Sequence, residues 1–361
     1  MFSSPLAMAL FLALVPTAMA STTWYVDGVN GNDSDDCRTA QTACKTIGRA
    51  IALATSGDSL SIAAATYQEN LTIPVSLNMV GSGAMTTIVD GGGISRVVSI
   101  VNPSLSVTIS RLTLRHGLGT IGGGIYNVGT LTVSSSTVSG NTAQGSIMAH
   151  LAASGGGIFS RGSATIRNST LTGNLAKCSS QISCFGGGVF NNGVMTIVNS
   201  TISGNTSNDG GGIFEDGASL NISNTTLSAN FAIATRGGGI DNNLGSVTLQ
   251  NSIVANDTGG DCAGGIVDSN GYNLNGDDTC NFNSTGDLNN TDPKLGPVQN
   301  NGGPTQTQAL LSGSPAIDAG NPSGCTDSQG HLLKTDQRGA PRPDKEDSGG
   351  CDMGAYERQR D

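Results

Sequence analysis

Aromatic side chains recur at one position of a repeated motif, and this column is the first candidate for chemistry. Aromatic residues make up only 4% of the 361-residue chain, yet segments that begin Gly-Gly-Gly carry one at their fifth place. The column consists of Tyr126, Phe159, Phe190 and Phe214, with Asp241 in the fifth segment. If the preceding Ile or Val points into a core, the alternation along a strand sends these rings outward, where they can stack on sugar faces.

Charged residues gather at the C-terminal end of this column. Asp209 and Arg236 each directly precede a triple glycine, while Glu215 and Asp216 follow Phe214. Together with the aromatic column and Asp241, they form a predicted ligand-binding face. The alternative is that the rings form a stack buried under neighbouring loops, which would explain the column by packing alone.

The spacing of the repeated segments indicates the architecture. Five copies cover residues 122–143, 155–176, 186–207, 210–232 and 237–256, and the shortest spacing between starts is the 24 residues from Gly186 to Gly210. A fixed period of this size is typical of stacked units that bury their apolar faces against one another. Two inserts, 144–154 and 177–185, fall at the same place in the unit. We therefore expect both loops to project from one side.

Each unit contains three short strand signals. In the first copy, Leu131 and Val133 alternate with polar residues, Val138 follows as a second apolar site, and Ile125 precedes. Gly, Asn and Ser separate these signals and leave no room for a helix in such a short unit. Identical strands one unit apart would stack in parallel, about 4.8 Å from each other. The sequence therefore predicts an all-β fold, a single-stranded parallel β-helix solenoid, with the right-handed turn that parallel crossovers favour.

Composition agrees with this fold and excludes some partners. The chain has 53 glycines, 36% hydrophobic residues and only 12% charged residues. A disordered low-complexity chain is the other class with this composition, but the regular Ile, Val and Leu columns argue against it. The net charge of −10 and a pI near 4.6 argue against nucleic acid and anionic membranes as partners.

The chain divides into four predicted parts. Residues 1–20 are apolar and end in Ala18-Met19-Ala20, which predicts a secretory signal peptide despite the missing Lys or Arg near its start. Residues 21–57 should form a strand, a loop and a short helix from Lys45 to Ala54 that caps the solenoid, because Ile47, Ile51 and Ala54 recur at helical spacing. Residues 58–286 form the β-helix, and 287–361 form an irregular C-terminal cap that holds seven of the 11 prolines. No membrane span is expected after signal cleavage.

The cysteines indicate an oxidising compartment. The eight cysteines fall into four local pairs, although eight cysteines allow 105 pairings. The pairs are Cys37 with Cys44, Cys178 with Cys184, Cys262 with Cys280, and Cys325 with Cys351. Metal binding is the alternative, but no CxxC occurs and the chain has only three histidines. We therefore predict disulfides, no metal site at the cysteines, and a secreted or cell-surface location.

One loop near the N-terminus is rich in oxygen ligands. It contains Asp27, Asn30, Asn32, Asp33, Asp35 and Asp36. Such residues can bind Ca²⁺, but their spacing matches no complete calcium loop, and a solvated Asx-rich turn is more ordinary. Calcium is thus the one cofactor for which the sequence offers any signal.

Several segments resemble known families. The YVD opening, the helix with KTI, the GDSLSIAAATYQENLTI stretch and the GGGIYN repeats resemble the pectin-lyase-like, right-handed parallel β-helix proteins of bacteria. The segments LGPVQNNGGPTQTQALLSGSPAIDAG and TDQRGAPRPDKEDSGGCDMGAYE resemble the C-terminal module of choice-of-anchor Q proteins. Members of that group often carry an anchoring tail, and the chain ends four residues after Glu357 without one. The resemblance thus implies a protein that is released or held on the surface by other means.

The same resemblance raises the question of catalysis. Pectin hydrolases carry an ordered set of NTD, paired Asp and GHG motifs, and the chain has no such set: Asp277-Asp278 stands alone and Arg115-His116-Gly117 has no partner carboxylate in sequence. A lyase would need a base and a group that neutralises the substrate carboxylate; the available residues are scattered basic ones, as on any solenoid surface. Catalytic residues stay unassigned. We expect a non-catalytic protein that binds carbohydrate or a cell-surface partner, with a polysaccharide lyase or glycoside hydrolase as the alternative.

Structural roles are predicted for a further set of residues. One asparagine column follows the inward apolar positions and consists of Asn168, Asn199, Asn224 and Asn251. A second consists of Asn141, Asn174, Asn205, Asn230 and Asn256. We predict that at least one column stacks as a ladder of amides hydrogen-bonded from coil to coil. Arg338 is predicted to pair with Asp352 or Glu357 and to close the last coil.

Overall fold

A computed structural model describes residues 21–146, 151–178, 183–344 and 350–359. Most of the chain winds into a parallel β-helix, so the predicted fold class is confirmed. A full coil contributes one short strand to each of four parallel sheets, which we number I to IV in the order in which the coil visits them. The predicted signal peptide, residues 1–20, lies outside the described residues.

Sheets I and II form two faces of the solenoid. Sheet I has eight strands: Leu71–Thr72, Val98–Ile100, Ile125–Asn127, Ile158–Ser160, Val189–Asn191, Ile213–Glu215, Ile240–Asn242 and Cys262–Gly264. Sheet II has ten: Thr23–Val26, Asp58–Ile62, Leu77–Gly81, Ser106–Ser110, Thr130–Ser134, Ser163–Arg167, Val194–Val198, Ser219–Ser223, Ser246–Gln250 and Val267–Ser269.

Sheets III and IV complete the coil. Sheet III has nine strands: Ala65–Gln68, Thr87–Asp90, Thr113–Arg115, Thr137–Ser139, Thr170–Thr172, Thr201–Ser203, Thr226–Ser228, Ile253–Ala255 and Leu274–Asn275. Sheet IV has five: Leu118–Gly119, Thr142–Gln144, Leu175–Lys177, Thr206–Asp209 and Phe231–Arg236. A separate antiparallel pair, Leu295–Gln299 with Thr307–Leu310, belongs to the C-terminal part.

The repeat sets the register between coils. Equivalent residues of successive copies are direct partners, as when Val133 pairs with Ile166 and Ile166 pairs with Ile197. These inward side chains are fully buried and belong to one continuous apolar cluster along the solenoid axis. The inward positions of sheet IV hold small residues, Ala143, Ala176 and Ala232 among them.

The triple glycines form the corner between sheets IV and I. The first glycine of each has a positive φ, for example 66° at Gly155 and 65° at Gly186, which side chains with a Cβ rarely adopt. The second approaches the next coil so closely that a Cβ on Gly156 would lie 2.5 Å from the carbonyl oxygen of Gly187. The corner therefore requires glycine for both backbone conformation and space.

The second asparagine column forms the predicted ladder. Asn174 Nδ2 donates to Asn205 Oδ1 (2.9 Å) and to the carbonyl of Val138 (2.9 Å), and Asn174 N also donates to Asn205 Oδ1 (3.0 Å). The same pattern links Asn141 to Asn174 and Asn205 to Asn230, and all four side chains are buried. The ladder is thus confirmed. The prediction that Asn256 is its last member is wrong. Asp257 is the last member, and its carboxylate accepts hydrogen bonds from both N and Nδ2 of Asn230.

The first asparagine column serves a different purpose. Asn168, Asn199, Asn224 and Asn251 lie at the turn between sheets II and III with φ of 50° to 54°. Asparagine tolerates this left-handed conformation better than most residues. Two of the side chains point to the C-terminal module, since Asn199 Nδ2 donates to Thr335 O and Asn224 Nδ2 donates to Thr326 O. Only Asn251 and Asn224 bond to each other directly, at 2.9 Å.

The N-terminal end is covered by the predicted helix, which spans Ile47–Leu53. Thr46 caps it and Ile47, Ala50 and Ile51 are buried in the solenoid core. Beneath it, Asp58 accepts hydrogen bonds from Thr22 N, Trp24 Nε1 and Thr55 N at 2.7 to 2.9 Å. Burial opposes ionisation, but these donors lower the pKa of Asp58 to about 2.

The oxygen-rich loop next to this helix uses its carboxylates internally. Asp33 accepts from Lys45 N and Thr46 N, Asp27 accepts from Val29 N, and Asp36 accepts from the Thr42 hydroxyl. Within the described residues, no group of three or more His, Cys, Asp or Glu side chains is arranged to hold a metal ion.

All four predicted disulfides form. The bonds join Cys37 to Cys44, Cys178 to Cys184, Cys262 to Cys280, and Cys325 to Cys351. Four disulfides are typical of a protein exposed to an oxidising, extracytoplasmic environment. No helix in the part of the chain that the structure describes is long and apolar enough to cross a membrane.

The irregular C-terminal module lies along the outer face of sheet III. Gln337 Nε2 donates to the Thr170 hydroxyl (3.0 Å), Gln337 Oε1 accepts from the Thr201 hydroxyl (2.7 Å), and Ala355 N donates to the Thr226 hydroxyl (3.0 Å). A small apolar cluster, which includes Leu310 and Met353, packs against the last coils at Ile253. The module therefore contacts several successive coils and not the last one alone.

The predicted partner of Arg338 is wrong. Arg338 Nη2 lies 2.7 Å from Asp336 Oδ2 because the two residues share a tight turn, and only the backbone oxygen of Glu357 bonds to Arg338. The Glu357 side chain instead forms a fully buried ion pair with Arg342, Nε to Oε2, at 2.7 Å. Burial raises the pKa of Glu357 to about 8 and the Arg342 guanidinium opposes this rise.

Replacing Asn205 by alanine should destabilise the solenoid strongly. The change leaves Asn174 N and one Asn174 amide hydrogen without partners and removes the bond to the Leu171 carbonyl. Each unsatisfied buried group costs about 1 to 3 kcal/mol, so we expect the free energy of unfolding to fall by roughly 2 to 4 kcal/mol in urea titrations. Asn221→Ala, on the partly exposed outer face of sheet II, is the control and should change it by less than about 0.5 kcal/mol. Equal losses in both variants would contradict the ladder.

Asp58 should make the stability of the N-terminal end depend on pH. Its pKa in the folded chain, about 2, lies below the unfolded value of about 3.9. Its stabilisation is therefore complete above pH 4 and is lost as pH falls through 2. Asp58→Asn should lower the free energy of unfolding at pH 7 by at least about 1.5 kcal/mol, and the difference from the wild type should shrink between pH 4 and 2. A difference that stays constant over this range would refute the role of the charge; the exposed Asp268→Asn provides the comparison.

Candidate functional site

The aromatic column forms a continuous stack of rings. Tyr126 stacks on Phe159 with centroids 5.5 Å apart, Phe159 on Phe190 at 5.1 Å, and Phe190 on Phe214 at 5.5 Å, with interplanar angles of 8° to 12°. The rings point away from the main core and form their own cluster, as the strand alternation predicts. At the N-terminal end of the stack, the Arg96 guanidinium lies 4.9 Å from the Tyr126 centroid.

This stack is not the open sugar-stacking surface that the sequence suggested. Phe159, Phe190 and Phe214 are only 7%, 8% and 5% exposed. Their faces are occupied by one another, and Phe185, at the end of the second insert, packs over Phe214 with centroids 4.7 Å apart. The part of the prediction that placed these rings in solvent is therefore wrong, because the neighbouring coils and the insert cover them.

A second column runs beside the rings at the corner before the triple glycine. Its members Ile121, Ser154, Phe185, Asp209 and Arg236 are partners from coil to coil. The last two members belong to the predicted ligand-binding face, and Phe185 does not. The signal was present, because Phe185 also directly precedes a triple glycine.

The two columns enclose a cavity at their C-terminal end. It has a volume of about 320 Å³ and is lined by Ser154, Phe185, Phe190, Asp209, Phe214, Asp216, Arg236 and Asn243. We call it the Asp209–Arg236 cavity. Of the predicted ligand-binding residues, it brings together Phe190, Phe214, Asp209, Asp216 and Arg236, and Asp241 lies against Arg236. Tyr126 and Phe159 lie outside it.

Two buried carboxyl groups face the single arginine of this cavity. Arg236 Nε is 3.3 Å from Asp241 Oδ2, within ion-pair distance but without hydrogen-bond geometry, and Arg236 Nη2 donates to Asp241 Oδ1 at 3.4 Å. Asp209, the strand partner of Arg236, is 6% exposed, and its Oδ1 has no hydrogen-bond partner. Burial raises the pKa of both Asp209 and Asp241, and the Arg236 charge opposes the rise.

The remaining two acids of the predicted face differ from each other. Glu215 is fully buried in the corner between sheets I and II, where its carboxylate accepts from Asn191 Nδ2 (2.6 Å) and Gly217 N (3.1 Å). Burial raises the pKa of Glu215 to about 7. Because it does not line the cavity, we assign it a structural role. Asp216 does line the cavity and accepts from Asn243 Nδ2 at 2.7 Å.

A second polar cluster was missed in the sequence. Asp90 Oδ2 lies 2.8 Å from Arg115 Nε and 3.0 Å from His116 Nδ1, and Asp90 Oδ1 accepts from Gly92 N. Burial opposes ionisation of Asp90, but these partners lower its pKa. His116 also lines a shallow groove of about 390 Å³ together with Lys177. A carboxylate on Nδ1 fixes the ring and its tautomer, which leaves Nε2 available on the groove side.

This cluster could have been found by extending the coil alignment upstream. Asp90 and Arg115 are direct strand partners, and the same position continues as Ser139. Arg115-His116-Gly117 has no carboxylate partner nearby in sequence because the partner, Asp90, stands one coil earlier. The triple glycine of this early coil, 91–93, directly follows a strand of sheet III and so stands at a different place in the coil from the triple glycines of the repeats.

Comparisons with known proteins identify no family. No family model and no curated protein matches this sequence. Among solved structures, the chain is similar to one described as the crystal structure of pectate lyase Pel9A, with 13% identity, a TM-score of 0.43, and coverage of 95% of this chain and 98% of that chain.

Replacing Phe190 by alanine should test the buried stack. The ring contacts Phe159, Phe214 and Phe185, and its removal opens a cavity, so we expect the free energy of unfolding to fall by about 3 to 5 kcal/mol. Phe231→Ala is the matched control because that ring is 42% exposed on sheet IV, and we expect a much smaller loss. If Phe190→Ala lowers the free energy of unfolding no more than Phe231→Ala does, in thermal or urea unfolding, the ring stack does not stabilise the fold.

Proposed function

We propose that this chain is an extracytoplasmic carbohydrate-binding protein whose ligand enters the Asp209–Arg236 cavity. The observation that supports this most is the orphaned Oδ1 of Asp209, a buried acceptor in the cavity wall without a donor. A buried acceptor without a partner costs free energy, and a sugar hydroxyl supplies the missing donor. A polyhydroxylated ligand can thus donate the hydrogen bond that Asp209 Oδ1 lacks.

The lining of the cavity suits such a ligand. Small-molecule sites combine apolar walls with a few placed polar groups and have volumes of roughly 300 to 1,000 Å³. The volume of about 320 Å³ lies at the lower end of this range. The edges of Phe185, Phe190 and Phe214 supply apolar surface, and Asp209, Asp216 and Arg236 supply acceptors and donors. A short stretch of a glycan, inserted as an end or a branch, fits this size better than a long groove-bound chain.

The proposed location rests on other features. The four disulfides support export, and the N-terminal 20 residues have the pattern of a secretory signal. The C-terminal segment 287–361 resembles the module of choice-of-anchor Q proteins, which favours a protein at or near the cell surface. In this proposal the module stabilises the solenoid and leaves the cavity, on the corner between sheets IV and I, free to bind.

A glycoside hydrolase is the second candidate. It is favoured by one observation, the raised pKa of two neighbouring buried carboxyl groups, Asp209 and Asp241. Groups of this kind are frequent in active sites, where one acts as an acid and the other as a base. Binding without turnover and hydrolysis are separated by incubating the protein with a panel of polysaccharides and measuring new reducing ends.

The proposal predicts a specific loss in Asp209→Ala. On a glycan array, the wild-type protein should be retained by at least one glycan, and the variant should bind it roughly tenfold to a hundredfold more weakly, as expected for the loss of a charged hydrogen-bond partner. Asp209→Ala should unfold no earlier than the wild type, because the substitution removes a buried, incompletely paired charge.

Two results would count against the proposal. Retention by no glycan on a broad array would remove the ligand class, and unchanged affinity in Asp209→Ala would remove the site. Asp268→Asn is the control because that acid lies exposed on the last strand of sheet II, away from the cavity. Release of reducing ends by the wild type, abolished in Asp209→Ala, would favour the hydrolase.

A further inference from the structure

Negative charge exceeds positive charge around the Asp209–Arg236 cavity. Asp209 and Asp216 line it, and Asp241 stands directly behind Arg236. Arg236 is the only cation among the described lining residues, and its side chain is 51% exposed. The cavity and its wall thus hold three carboxyl groups and one guanidinium, which faces two of them. The excess is local and lies on the same corner as the aromatic stack.

The carboxyl oxygens of this cavity are not all satisfied. Asp216 Oδ1 is bonded to Asn243, and Asp241 Oδ1 accepts a long bond from Arg236. Asp209 Oδ1 and Asp241 Oδ2 have no hydrogen bond, and the two residues are only 6% and 0% exposed. A buried anion is costly unless it is both paired with a charge and hydrogen-bonded. A neutral hydroxyl meets the second need but not the first.

We propose that the cavity selects an amino sugar whose amine is protonated, a refinement that rests on the proposed carbohydrate-binding function. An ammonium group donates three hydrogen bonds and carries the missing positive charge. It can therefore satisfy Asp209 Oδ1 and reduce the repulsion between Asp209 and Asp241. The remaining hydroxyl groups of the sugar face Asp216 and Asn243 at the cavity rim.

The aromatic walls suit a sugar ring. Phe185, Phe190 and Phe214 line the cavity and give it apolar surface. Such surface packs against the apolar C–H groups of a pyranose.

Other charged ligands fit less well. A uronic acid would bring a fourth carboxylate to a cavity whose single guanidinium already faces two buried ones. A divalent metal ion usually takes several carboxylates, and the described residues contain no cluster of three or more acidic, His or Cys ligands arranged for one. Burial raises the pKa of Asp209 and Asp241, and a bound ammonium group would favour their ionised forms.

Titration calorimetry with three tetrasaccharides of equal length tests the selectivity. The ligands are a glucosamine tetramer, its N-acetylated form and a glucose tetramer, each with the full secreted chain at a pH at which the amine is protonated. We expect the glucosamine tetramer to bind at least about tenfold more tightly than the other two. Asp209→Asn, which keeps the shape and removes the charge, should reduce this preference roughly tenfold.

Asp268→Asn is the matched control because it removes the same charge from the exposed part of sheet II. It distinguishes a local effect from the general attraction of a cationic ligand to a chain with net charge −10. Equal losses of preference in Asp209→Asn and Asp268→Asn would overturn the inference. Tight binding of the glucose or N-acetylated tetramer without an amine preference would also overturn it while leaving the proposed carbohydrate binding intact. Ca²⁺ alone, if it bound to the wild type and not to Asp209→Asn, would replace the amine by a metal ion and contradict the inference as well.

Discussion

One buried amide in each of four successive coils ties the repeated part of this solenoid together. Each asparagine of the ladder bonds through Nδ2 to the carbonyl of the coil before it and to Oδ1 of the asparagine after it. A side chain that is buried without such partners would destabilise the stack. The coils must therefore stay in register, and the register in turn places every other column. The aromatic stack, the column before the triple glycine and the turn asparagines all follow from it.

The regular part of this fold was accessible from the sequence, because a coil that repeats also repeats its contacts. The environment of a repeated residue could be predicted because the same residue type stands at the same place in the next copy. This holds for Ile166 in the core, Asn174 in the ladder and Gly155 at the corner. Most features that arise once were not accessible; the exceptions are the disulfides between cysteines close in sequence and the N-terminal helix, which has a periodicity of its own. The pairing of Arg342 with Glu357, and of Arg338 with Asp336, depends on the path of an irregular segment that no period describes. The prediction of an exposed aromatic face failed for a related reason, because burial of Phe190 depends on Phe185 from an insert whose path is not repeated.

The candidate site shows the same division. Its two columns could be read from the spacing, and Asp209, Arg236 and Asp241 were expected near one another. Whether Glu215 or Asp216 faced the ligand could not be decided from adjacent positions, because the chain turns at a corner where the alternation of a strand ends. The Asp90–His116 contact was not predicted because it joins two early coils with different sequences.

The C-terminal module contacts several successive coils of sheet III. It forms hydrogen bonds with the hydroxyl groups of Thr170, Thr201 and Thr226. The coils of a solenoid otherwise contact only their neighbours. A module that bonds to several coils at once therefore opposes unfolding of the solenoid from either end.

The direction of the asparagine ladder also bears on how the chain is completed during synthesis. The backbone N–H and one Nδ2 hydrogen of each ladder asparagine find their acceptor on the coil that follows, while the other Nδ2 hydrogen bonds to a carbonyl of the coil before. A chain that emerges from its N-terminus therefore always carries one ladder asparagine that lacks its Oδ1 acceptor until 25 to 33 more residues have appeared. The ladder bonds of each coil can therefore form only after the next coil has been synthesised. The ladder ends at Asp257, whose carboxyl group accepts both bonds of Asn230. This carboxyl group has no amide hydrogens that would need an acceptor on a further coil.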